Sequence, residues 1–248
     1  MTEFTINDFR TISFLIEKGD DHKLYNFFTT RLNYPSSVDK WFELLKIRMD
    51  TVSESITFTI NGKNGKNVMI NLKIWKDNFQ NNFKEIKTIL NIDEFILTLD
   101  YPKEFLHDTL EELMVDCVYN IIYRGKEINF SLLTKEEQFK VFERLPSTVS
   151  NGVLQFIEQN NHPIVLMPER LGMSEISVNF FDNTAFDLIK TLYNYYNYEN
   201  ILETLFMLSR RIQDIQYLNS RNPRDLDFLI KLYGEEVDKS DPETKSII

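Results

Sequence analysis

The chain has 248 residues, of which 42% are hydrophobic and 13% aromatic, including 20 Phe and 11 Tyr, so it can bury a real core and is not a wholly disordered chain. Its formal net charge is -10, and its densest basic groups, Lys63 with Lys66 and Arg210 with Arg211, are too small to track a phosphate backbone. That balance argues against nucleic acid and anionic membrane as partners and leaves protein partners open.

The N-terminal segment reads as short helices. Asn7 is placed to cap a helix with Phe9, Ile12, Leu15 and Ile16 on one face. Gly19-Asp20-Asp21 ends it and caps a second helix carrying Leu24, Phe27 and Phe28. Pro35-Ser36-Ser37 then opens a third, with Val38, Trp41, Phe42, Leu44, Leu45 and Met49 on its buried side.

The period changes at Ser55. Ser55 to Ile60 alternates strictly, Asn61 to Asn67 is a turn with Gly62 and Gly65, and Val68 to Ile74 alternates again, which predicts a β-hairpin. A further strand is expected over Phe95–Leu99, closed by Tyr101-Pro102. From Lys103 to about Tyr123 a helical spacing returns through Phe105, Thr109, Leu110, Leu113, Cys117, Val118 and Ile121, until Arg124-Gly125-Lys126 breaks it.

Thr134-Lys135-Glu136-Glu137 is a capping box opening a helix with Phe139, Val141 and Phe142, which stops at Leu145-Pro146. Ser147 starts another, through Val153, Leu154, Phe156 and Ile157. Ile164–Pro168 and Glu175–Phe180 are expected to pair as a second, smaller β region. Thr184 is expected to cap a helix with Phe186, Ile189, Leu192, Tyr193 and Tyr196 inward. Leu202, Leu205, Phe206, Ser209, Ile212 and Ile215 continue at helical spacing. A last helix runs from Asn222-Pro223 to Gly234.

Strands and helices are segregated, which predicts an α+β fold, mostly helical with one or two small antiparallel hairpins or sheets. Residues 1–102 are read as N-terminal helices plus a small antiparallel sheet. Residues 103–234 are read as mainly helical with a short β insertion near 164–181, and 235–248 as a disordered tail. No stretch approaches the apolar length of a transmembrane helix, and Met1 to Arg10 lacks the apolar run of a signal peptide.

The chemical inventory is thin. His22, His107 and His162 are the histidines; His107 and Glu111, four apart on the expected helix, would share a face but lack further ligands for a divalent ion. Cys117, the one cysteine, cannot form an intramolecular disulfide, and its apolar neighbours favour a buried, inert thiol. Gly62 and Gly65 lie between strands rather than before a helix, so they do not form a phosphate loop. The pairs Glu111-Glu112, Glu136-Glu137 and Glu235-Glu236 read as solvated faces or caps. No cofactor and no enzymatic activity are expected. A hydrolase would need a concave site with two or more close carboxylates. The run Tyr193-Asn194-Tyr195-Tyr196-Asn197-Tyr198 cannot turn every ring to one core, which makes Tyr195 and Tyr198 candidates for a partner contact.

Several blocks carry a resemblance. They are Leu45-Lys46-Ile47-Arg48, the Gly62–Gly65 turn with Val68–Leu72, and Leu97 to Pro102. Cys117 to Tyr123, Phe130 to Glu137, Phe142 to Pro146, Leu154 to Glu158 with Met167-Pro168, Leu192 to Tyr198, and Asn222 to Asp227 follow. In that order they are similar to the baseplate hub assembly family of T-even-like bacteriophages. The resemblance implies a phage protein made in the host cytoplasm, with baseplate hub proteins as partners and no catalytic residues. It leaves open a transient assembly factor or a permanent hub subunit. Some relatives carry Cys-x-x-Cys pairs in the hairpin turn; here Asn61, Gly62, Asn64 and Gly65 occupy it, so zinc binding is not implied.

Overall fold

A computed structural model describes residues 5–32, 41, 55–59, 67–169, 175–193, 198–209 and 215–221. In chain order the described elements begin with α1 (Ile6–Lys18), α2 (Asp21–Leu32), β1 (Ser55–Thr59), β2 (Asn67–Asn71) and α3 (Leu72–Asn82). Next come β3 (Thr88–Ile92), β4 (Phe95–Leu99), α4 (Leu110–Cys117), β5 (Val118–Tyr123) and β6 (Lys126–Ile128). A short 3-10 turn at Phe130–Leu132 precedes α5 (Lys135–Phe142) and α6 (Ser147–Asn160). β7 (Ile164–Met167), β8 (Ile176–Val178), α7 (Thr184–Tyr193), α8 (Tyr198–Ser209) and α9 (Ile215–Ser220) complete the order. The α+β class is as expected. The helices proposed around Val38–Met49 and Asn222–Gly234, the turn at Asn61–Asn67 and the 235–248 tail lie outside the described residues, Trp41 and Asn67 excepted.

The chain divides into two compact units, residues 1–33 with 190–248, and residues 34–189. The first unit is helical in its described part. Its α1 is capped by Thr5 rather than Asn7: the Thr5 hydroxyl accepts from the Asp8 amide and the Asp8 carboxylate accepts from the Thr5 amide at 2.8 Å, a complete capping box. Gly19 at φ 65 turns the chain through the left-handed region, and the Asp20 carboxylate then receives the Lys23 amide at the start of α2. Tyr193 lies 5.4 Å from Phe9 and 5.4 Å from Phe28, ring centre to ring centre. Arg31 bonds Asp8 at 2.6 Å and Lys190 bonds Asp21 at 2.7 Å.

The second unit is built on an antiparallel sheet of order β3-β4-β5-β6. Leu97, Leu99, Val118 and Ile121 from its inner face meet Leu113 and Val115 of α4, Phe142 of α5, and Val149, Val153, Phe156 and Ile157 of α6. Burying such side chains contributes about 1.5–3 kcal/mol each before the entropy of ordering them is charged against it. Two-stranded pairs β1-β2 and β7-β8, both antiparallel, accompany the sheet. The α3 helix lies beside β7, where Asn78 and Asn82 donate to the Leu166 and Val165 carbonyls at 2.7 and 3.2 Å.

A chain of rings continues the core. Trp41, Phe79, Phe83, Tyr101 and Phe180 follow one another at centroid distances of 5.0 to 6.2 Å, and the Trp41 indole donates to the Ala185 carbonyl at 2.8 Å.

Several expectations are corrected. Leu72, Lys73 and Ile74 open α3 instead of extending the strand, and β3 had no counterpart in the sequence reading. The helix proposed over Lys103 to Tyr123 is only Leu110–Cys117: Thr109 is its N-cap, receiving the Glu112 amide at 3.2 Å, and Val118–Tyr123 is the central strand β5. The boundary at 102/103 falls inside the second unit, where the Asp100 and Lys103 amides donate to the Cys117 and Asp116 carbonyls. Thr184 is the first residue of α7, its hydroxyl bonded to Asn179 and its amide to the Asp182 carboxylate.

Candidate interaction surface

One end of the four-stranded sheet carries two tight turns side by side. In the β5–β6 turn Arg124 has φ 49 and Gly125 φ 75, a pair of left-handed residues whose twist matches that of the strands and for which glycine suits the second position. The β3–β4 turn is Asp93-Glu94, with Asp93 at φ 52. The two are clamped: the Arg124 guanidinium bonds the Glu94 carboxylate at 2.6 Å, and the Arg124 amide donates to the Glu94 carbonyl at 3.1 Å. Phe95 and Tyr123 stack beneath them at 4.6 Å, with the Arg124 guanidinium 5.1 Å over the Tyr123 ring.

Behind this clamp the core stays open. Phe95, Ile121, Tyr123 and Ile128 from the sheet face Val141, Arg144, Leu145 and Pro146 from the end of α5 across a concavity of about 600 Å³, with Asp93 and Glu94 at its mouth. The walls are apolar and the rim carries both signs of charge. Such a surface receives an apolar side chain and orients the segment bearing it through polar contacts. It also holds two neighbouring carboxylates, as a hydrolytic site would need. Both are exposed, however, and Glu94 is already paired with Arg124.

A second polar cluster is built on a buried pair, His107 and Asp116. The His107 imidazole Nε2 lies 2.8 Å from Asp116 Oδ2, and Lys135 donates to Asp116 Oδ1 at 2.8 Å while approaching Glu104 at 3.2 Å. Burial alone would push the Asp116 carboxyl up; the His107 hydrogen bond and the Lys135 charge outweigh it and hold the group below the usual carboxylate range. Burial opposes the charge on Lys135 too, and Asp116 and Glu104 more than restore it. The Asn183 side chain closes the cluster, accepting from the His107 amide and donating to its carbonyl at 3.1 Å each. These links tie the irregular 100–109 segment to α4, to α5 and to the turn before α7, and they give the buried Asp116 carboxylate hydrogen-bond partners.

His107 and Glu111 therefore do not share a helical face: His107 precedes α4 and points at Asp116, while Glu111 is exposed in the first turn of α4. No group of three or more potential metal-ligating side chains occurs among the described residues. Cys117 is buried, and burial, followed by the Asp116 charge, raises its thiol well above the ordinary range. Tyr195 lies outside the described residues, and Tyr198 opens α8 with its side chain outside them as well. The pocket residues were not singled out from the sequence. The available signal was the pair of short loops, Asp93-Glu94 and Arg124-Gly125, at matching ends of apolar runs.

Residues 30–168 match the family described as T4 bacteriophage base plate protein. The chain belongs to this baseplate family. The matched span is more than half of the chain and contains the four-stranded sheet, α4 to α6, the clamped turns and the pocket. No curated protein and no solved structure matches. Among the described residues, no helix of this baseplate-family chain is long and apolar enough to cross a membrane.

Proposed function

We propose that this baseplate-family protein is an assembly factor for the baseplate hub, acting in the host cytoplasm through protein–protein contacts and without catalytic chemistry. The observation that carries the reading is the baseplate family match over residues 30–168, the region that contains the pocket. An apolar pocket with a rim of both charges suits an exposed apolar residue on an incompletely assembled subunit. The net charge of -10 keeps a chain with such a surface soluble while it waits for its partner. Tyr195 and Tyr198 are proposed as a further partner contact. The rival reading is a permanent hub subunit, for which the same family match speaks.

The test is capture of tagged chain from phage-infected cells, followed by mass spectrometry. Baseplate hub proteins should be recovered with the native chain and lost with Arg144→Glu combined with Leu145→Ser, provided that circular dichroism shows the variant folded. Recovery of no baseplate protein by the native chain overturns the proposal.

A further inference from the structure

We propose that the free edge of β3 is a self-pairing surface, through which two copies of this chain join their four-stranded sheets antiparallel into one continuous sheet.

Among the described residues, β3 is the outermost strand of its sheet and pairs only with β4. The two-residue turn at Asp93-Glu94 makes Ile92 and Phe95 a hydrogen-bonded pair, and antiparallel alternation places Leu90–Leu97 and Thr88–Leu99 in the same class. The amides and carbonyls of Ile89 and Asn91 therefore point away from the sheet. Among the described residues nothing bonds to them. Natural sheets protect such an edge with lysine, proline, a bulge or an inward charge. Thr88-Ile89-Leu90-Asn91-Ile92 has none of these. Its inner side is filled, since Leu90 and Ile92 lie against Gly152 of α6. On the outer face Ile89 is 65% exposed, diagonal to Ile96 at 38%.

Charge decides the occupant. Lys87 precedes the strand and Asp93 follows it, and both are exposed. A second copy, running antiparallel about a two-fold axis at Leu90, brings Ile89 of each strand opposite Asn91 of the other. All the outward amides and carbonyls of those residues are then satisfied. The same register sets each Lys87 beside the Asp93 of the other copy, so both ends attract. This is an isologous interface, self-complementary in hydrogen bonding and in charge. A parallel partner would set like charges together at each end.

The test is sedimentation equilibrium of the full chain across a wide concentration range. A monomer–dimer equilibrium is expected. Asn91→Pro, which removes an outward amide without touching the bonds to β4, should abolish the dimer. Lys87→Glu and Asp93→Lys should each weaken it about tenfold or more by setting like charges together twice. Mixing those two variants should restore association, because every end of the mixed dimer again carries opposite charges. A chain that stays monomeric overturns the proposal, as does a dimer indifferent to Lys87 and Asp93. A monomer that captures a strand of another baseplate protein through Asn91 also overturns it and assigns the edge to that protein.

Discussion

His107 Nε2, in the irregular segment before α4, and Asp116 Oδ2, in the last turn of α4, meet at 2.8 Å, with their side chains 5% and 2% exposed. The contact holds the approach to α4 against the helix it precedes. Removing one partner of such a buried pair leaves the other without its hydrogen bond. Asp116→Ala is expected to cost about 3–5 kcal/mol, measured by chemical denaturation at neutral pH. A loss well under 1 kcal/mol would mean that the cluster is solvated in solution.

Lys103 behaves in the opposite sense. Its ammonium is buried, with no hydrogen-bond partner among the described residues, 5.4 Å from the Tyr119 ring centre and 5.3 Å from that of Phe130. Burial pushes it down to about 8; Asp116 opposes that shift and Lys135 adds to it. Between that value and the ordinary 10.5 the unfolded chain holds more protons than the folded one, so this group makes stability rise with pH through that window. Below about 8 the full penalty of the buried charge is present. Lys103→Met should stabilise the fold by about 1–3 kcal/mol at pH 7, a gain that fades as pH approaches 10.5. Denaturation of both proteins at the two pH values checks this, and an equal gain at both would contradict it.

Gly152 marks where α6 crosses the sheet. A Cβ built there would meet Ile92 Cδ1 at 2.5 Å and Leu90 Cδ2 at 2.8 Å. These are the ends of flexible side chains, so Gly152→Ala can be absorbed, whereas Gly152→Leu must displace β3. The larger substitution is expected to cost about 1–3 kcal/mol, read as a lowered thermal midpoint. Because β3 is the proposed pairing edge, the same variant should also weaken self-association.

Cys117→Ser places a hydroxyl where a buried thiol lies against Leu113 and Ile121. A stability loss of about 1–3 kcal/mol is expected from burying that hydroxyl, while complementation of a phage lacking the protein should stay intact. A folded variant that fails to complement would give the thiol a functional role.

The sequence made the strongly punctuated elements legible. The Thr134–Glu137 capping box and the Gly19 stop carry local chemistry that fixes their ends, while the Phe95–Leu99 strand and the helix starting at Ser147 are bounded by the nearby prolines Pro102 and Pro146. The central strand was hidden because Val118, Ile121 and Ile122 fit a helical stripe as well as a buried strand; its β-branched and aromatic content was the better guide. β3 was hidden because its turn, Asp93-Glu94, lacks the glycine that announces a hairpin. Helical spacing paired His107 with Glu111, whereas the contact with Asp116 arises from a chain reversal that spacing alone does not encode. The pocket needed the register of three strands and the end of α5 together, which no single segment reveals.

The most direct measurement is quantitative mass spectrometry of purified virions beside infected-cell lysate. An assembly factor should be abundant in the lysate and absent, or far below the copy number of hub subunits, in the finished particle. Stoichiometric copies in purified virions would contradict that role and make the chain a permanent part of the baseplate.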